Sequence, residues 1–100
     1  MPIRSVDPEK IRIVQDYLQQ ELPGYGIHSF PDQAWQTYVL KFDDTSGRQC
    51  VCVTLQFFRD VPEISATLRA WRLGDRVYNA KPKSLLVTST EIREHEYTLK

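Results

Sequence analysis

The stretch Arg48-Gln49-Cys50-Val51-Cys52-Val53-Thr54-Leu55-Gln56-Phe57-Phe58 decides how the rest of the chain is arranged. Val51, Val53, Leu55 and Phe57 fall at every second position, the period at which strand side chains share a face. This predicts a core strand over residues 48–58 with those four side chains turned inward. Cys50 and Cys52, the two cysteines of the chain, then lie on the opposite face with Thr54.

Toward the N-terminus, Tyr38, Leu40 and Phe42 alternate in the same way within a second run, Trp35 to Phe42. The cluster Asp43-Asp44-Thr45-Ser46-Gly47 is turn chemistry and predicts an antiparallel hairpin. A loop of residues 43–46 brings the two apolar sets onto one side, whereas one residue more places Tyr38 and Leu40 beside the cysteines. Register follows the buried face, so the shorter loop is expected. Tyr25 to Phe30 reads as a third, shorter strand, broken by Pro31-Asp32. Before it stands a helix. Asp7 caps it, Pro8 suits the first turn, Glu9 meets the positive dipole end, and Pro23-Gly24 ends it. Ile11, Val14, Leu18 and Leu22 form its apolar stripe, widened by Ile13 and Tyr17.

Toward the C-terminus, Asp60-Val61-Pro62-Glu63 has the form of a capping box, followed by the stripe Val61, Ile64, Leu68 and Trp71 and a glycine stop at Gly74. A rival hairpin would turn at Gly74-Asp75 and set Trp71 opposite Tyr78. Ser84 to Thr88 reads as a strand, and Thr88 to Glu91 as the cap of a last short helix carrying Ile92 and Leu99. The order is α-β-β-β-α, then a strand or helix. It predicts one α+β domain over residues 1–100, a three- to four-stranded antiparallel sheet with the N-terminal and central helices packed on one face.

Thirteen basic residues against thirteen acidic ones argue against a whole-protein basic footprint and a polybasic membrane anchor. The opening Met1 to Lys10 has no apolar signal region, and no run approaches about 18 apolar residues. A cytoplasmic protein without a membrane span is expected. Cys50 and Cys52, roughly 6.6 Å apart on a strand with parallel side chains, are poorly placed for a disulfide. Zinc would need more ligands than these thiols and His28 or His95 supply. His28 and Ser29 are strand neighbours that point apart, and no glycine-rich phosphate loop opens a helix. No catalytic residues, metal ligands or cofactor are therefore assigned, and the reading leans away from an enzyme.

Two surfaces remain. The sheet face away from the helices would carry Trp35, Val39, Cys50 and Cys52, nearly uncharged, with Thr37 and Thr54 beside them. Such a face calls for a cover: a second copy, another protein, or the chain's own segment from Leu85 onward. The second is the basic run Arg69, Arg72, Arg76, Lys81 and Lys83, interleaved with Trp71 and Tyr78 and opposed by Asp75 alone. Cations neutralise phosphates and rings stack on bases, which suits an anion or a single-stranded nucleic acid. The leading expectation is a non-catalytic interaction module, a homodimer or assembly subunit contacting partners through Trp35, Val39, Cys50 and Cys52. Anion or nucleic-acid binding is the alternative, and a small enzyme the third.

Overall fold

Asp7 has extended backbone, and its carboxylate accepts the Glu9 amide at 3.0 Å, which starts helix α1 over Pro8–Glu21. The computed structural model describes residues 7–34, 36–43, 49–80 and 83–95. Val14, Tyr17, Leu18 and Leu22 are buried, as the stripe requires, but Ile13 is 38% exposed and faces out. The helix ends at Glu21 with Leu22 as its cap, and Gly24 in the turn that follows adopts φ +97°, a conformation that glycine alone reaches freely.

Strands β1 (Gly26–Asp32), β2 (Thr37–Asp43) and β3 (Cys50–Thr54) follow and pair antiparallel in order. Pro31 does not break β1; it pairs with Tyr38. This is tolerated because β1 lies at the sheet edge, where a missing N–H has no ladder partner to disappoint. Leu40 stands opposite Val51 and Tyr38 opposite Val53, so the expected apolar sets do share a face. The Phe42 amide donates to the Gln49 carbonyl at 3.1 Å, leaving residues 43–48 between them. The connection is thus two residues longer than expected, with the same parity; residues 44–48 lie outside the described segments.

The largest departure comes at Thr54. The strand does not run on to Phe58. Thr54 caps helix α2 (Leu55–Asp60), its hydroxyl accepting the Phe57 amide at 3.1 Å. Adjacent Phe57 and Phe58 are both buried, which a helix allows and a strand with one wet face forbids. Asp60 therefore ends a helix; it does not begin one. Helix α3 (Ile64–Ala70) opens without a side-chain cap, and Arg72 at φ 56° turns the chain into α4 (Leu73–Ala80). Residues 73–80 are helical, which removes the rival hairpin, and Gly74 sits inside a helix, not after one.

Strand β4 (Ser84–Val87) forms as expected, but parallel to β3, because α2, α3 and α4 carry the chain across the sheet. Thr88 to Glu91 is a turn in which the Thr88 hydroxyl accepts the amides of Thr90 and Glu91 at 3.3 and 3.0 Å. Strand β5 (Ile92–His95) then returns antiparallel where a short helix was expected, and Leu99 lies outside the described residues. The fold is α+β, with helices packed on a five-stranded sheet ordered β1-β2-β3-β4-β5. It is mostly antiparallel, with one more strand than the expected maximum and one parallel pair.

The helix side of the sheet and the helices form one core, including Val14, Leu18, Leu40, Phe42, Val51, Val53, Phe57, Leu68 and Val77. Two buried polar side chains tie the helices down. The Tyr17 hydroxyl donates to the Leu68 carbonyl at 3.2 Å and accepts the Gly74 amide at 3.1 Å. Gln49 Nε2 donates to the carbonyls of Val77 at 2.7 Å and Lys83 at 3.0 Å. Removing the Tyr17 hydroxyl leaves a buried acceptor and a buried donor unsatisfied. Tyr17→Phe is expected to lower stability by about 1–3 kcal/mol in urea unfolding; a loss well under half a kilocalorie would show that the helices hold without the tether.

Candidate functional site

The cysteine face is built by alternation on the central strands. Val39 on β2 stands opposite Cys52 on β3, and Lys41 opposite Cys50. Val39, Cys50 and Cys52 form a second cluster with Phe30 from β1 and Leu86 from β4 at its margin. All three are essentially without solvent exposure within the single chain, at 0%, 0% and 1%. Contact with a partner at these side chains would therefore need them to be uncovered first. Trp35, the fourth expected contact, lies outside the described residues. Of the segment from Leu85 onward, strands Ser84–Val87 and Ile92–His95 extend the sheet beside β3, and Leu86 joins the cluster; residues 96–100 lie outside the described residues.

Burial governs the chemistry here. It pushes the Cys52 thiol up to about 12, with smaller contributions from the charges of Cys50 and Asp32. Burial also raises Cys50, against a hydrogen bond with Ser84 and the nearby Lys41 charge. Both cysteines are free, and neither is a thiolate at neutral pH. The Thr37 hydroxyl oxygen is buried on the same side and has no hydrogen-bond partner among the described residues. His28 and His95 lie on this side too, on opposite outer strands of the sheet. Among the described residues no group of three or more His, Cys, Asp or Glu is placed to hold a metal ion.

The second feature is a cleft of about 740 Å³ between the α3–α4 corner and the β4–β5 turn. Trp71, Arg72, Asp75, Arg76 and Asn79 line the helical wall, and Thr90, Glu91 and Ile92 the other. Trp71 also packs on Phe57, with ring centroids 6.1 Å apart, so it serves the core and the cleft together. A smaller adjoining recess continues along α4 past Arg76 and Asn79 to Leu85, Arg93 and Glu94.

The fold divides the basic run. Arg72 and Arg76 share the cleft, whereas Arg69 is exposed on α3 outside its lining. Arg72 meets Asp75 at 3.3 Å and Lys83 meets Glu94 at 3.2 Å, both pairs largely exposed and hence weak. Arg76 donates to the Ile92 carbonyl at 3.3 Å and makes no ion pair among the described residues. Lys81 is outside them. Tyr78 is 64% exposed and does not line the cleft. Asn79, Thr90, Glu91 and Ile92 were not expected at a site. The signal for Thr90 and Glu91 is present in Thr88-Ser89-Thr90-Glu91, whose hydroxyls suit a tight turn as well as a helix cap.

No helix among the described residues is long and apolar enough to cross a membrane. No protein-family model, curated protein or solved structure matches the chain.

The thiol environment has a measurable consequence. Below the ordinary thiol value of 9.0, folded and unfolded chains both keep the Cys52 proton, and its contribution to stability is complete. Between 9.0 and about 12 the unfolded chain loses that proton first, so stability falls as pH rises. The Cys52 share of that slope is at most about 1.4 kcal/mol per pH unit. Urea midpoints across this window should fall less steeply for Cys52→Val than for the parent chain; identical slopes would show that Cys52 is not protected as described.

Proposed function

We propose that the chain is a small non-catalytic interaction module, acting as a self-associating unit or as a subunit of a larger assembly. The observation that carries this reading is the cleft between α4 and β5, an open recess with an aromatic wall and an arginine that makes no ion pair among the described residues. Its carboxylates favour binding over catalysis. Asp75 is engaged by Arg72, and Glu91 by Arg93 at 3.4 Å, and both carboxylates are largely exposed, not enclosed as a reacting group in a water-excluded site would be. The cysteines, the chain's two thiols, are buried and protonated, a setting that does not supply a nucleophile. The contact surface favoured by the geometry is the cleft, in place of the cysteine face.

Arg72, Arg76 and Trp71 around one recess also favour an anion or a single-stranded nucleic acid as the second reading, with Arg69 and Lys83 as outlying cations. The two readings respond to different measurements. For self-association, light scattering across micromolar to millimolar concentration should show a dimer that Arg76→Glu weakens; a monomer throughout removes the self-associating form. For the nucleic-acid reading, anisotropy with a labelled oligonucleotide should show affinity falling steeply with salt, and further in Arg72→Glu. Absence of binding at low salt ends that alternative.

A further inference from the structure

The geometry points to an extended peptide carrying one acidic side chain as the occupant of the α4–β5 cleft, pairing with β5 as an added strand. This identification rests on the interaction-module reading and gives its partner a chemistry. The Thr88 amide donates to the Glu91 carbonyl at 2.8 Å, so these two residues close the hairpin as a hydrogen-bonded pair. Bonded and non-bonded pairs alternate along an antiparallel ladder. Val87 and Ile92 are thus a non-bonded pair, and the N–H and C=O of Ile92 turn away from β4; two residues on, those of Glu94 do the same. The Arg76 guanidinium reaches the Ile92 carbonyl from α4, which places this edge along the cleft. Among the described residues β5 ends the sheet. An edge whose backbone groups have no strand partner among the described residues is a template for an incoming extended chain, whose alternate side chains then fall against Trp71 and Asn79.

Charge selects the kind of peptide. Asp75, Glu91 and Glu94 are matched by Arg72, Arg93 and Lys83, which leaves Arg76 as the cation of the cleft lining without a carboxylate among the described residues. At 3.3 Å its bond to the Ile92 carbonyl is long. A carboxylate gives the guanidinium a two-pronged, charge-assisted partner and frees that carbonyl for the added strand. One excess cation suits one acidic side chain better than a run of phosphates.

The test is an amide-resolved titration of the full chain. The probes are acetylated, amidated hexapeptides of valine and threonine with one glutamate stepped through the positions, and their glutamine counterparts. The amides of Ile92 and Glu94 should shift and exchange more slowly with solvent. Glutamine peptides should bind at least about 10-fold more weakly. Arg76→Gln, with an otherwise native spectrum, should bind both sets alike. The proposal is overturned if no probe moves those two amides at millimolar concentration, or if glutamate and glutamine peptides bind equally. It is also overturned if Arg76→Gln self-associates through the same amides, since Arg76 then guards the edge. An oligonucleotide that alone moves them would transfer the cleft to the nucleic-acid reading. A chain that dimerises while no peptide touches the β5 edge keeps the interaction module and removes the peptide.

Discussion

The Tyr17 hydroxyl is the point on which the helical layer turns. A helix end leaves carbonyls without partners and a helix start leaves amides without partners. The corner between α3 and α4 buries one of each, the Leu68 carbonyl and the Gly74 amide, and a single phenol from α1 satisfies both. Burial raises the Tyr17 pKa, with the Gly74 hydrogen bond opposing, so the group stays a neutral donor at neutral pH. The same crossing needs glycine. A Cβ at position 74 would come within 2.7 Å of the Glu21 Cβ, so α4 could not approach α1 as it does. Once that corner is fixed, α4 leaves it in one direction, and Arg76 and Asn79 are carried to the β5 edge. The cleft is a product of this geometry.

Strand β3 supplies the complementary constraint. It pairs with β2 on one side and β4 on the other, and it is buried on both faces. That explains a strand reading Cys50-Val51-Cys52-Val53, apolar at every position, where an alternating polar face would mark a wet surface. The cysteines are small side chains in the second layer of packing, and their raised pKa values follow from it. Gln49, just before the strand, extends the fixation to the helices by holding the end of α4 and the approach to β4. Lys10 adds a link from α1 to the Phe58 carbonyl at 2.8 Å.

Where sequence and structure part, the cause is the same at each position: two local patterns fit, and long-range pairing chose between them. Leu55-Gln56-Phe57-Phe58 alternates well enough for a strand, yet Thr54 is also a good helix cap and both phenylalanines want burial. The parallel pairing of β3 with β4 requires the chain to leave the sheet here, and the helix follows. Thr88 to Glu91 has the hydroxyls of a cap and of a turn, and the β4 edge, able to accept another strand, favoured the turn. Gly74 has the look of a helix stop, but its lack of a Cβ is used against Glu21, and the left-handed position falls on Arg72. The cleft was half visible: Arg72, Arg76 and Trp71 stood out as cations with a ring, while their opposite wall is contributed by residues fourteen or more positions away.

By itself the sequence determined the α1 helix from its cap and stripe, the pairing of β2 with β3, the strand at Ser84–Val87, and the shared side of Cys50 and Cys52. These are set by periods of two and of 3.6 residues and by caps within a few residues, all local. Only the tertiary structure decided that β3 ends at Thr54, that β4 lies parallel to it, that a fifth strand closes the sheet, and that Arg76 faces the β5 edge. Those outcomes depend on which surfaces meet across the fold, and a sheet edge or a helix corner exists only after distant segments have been brought together.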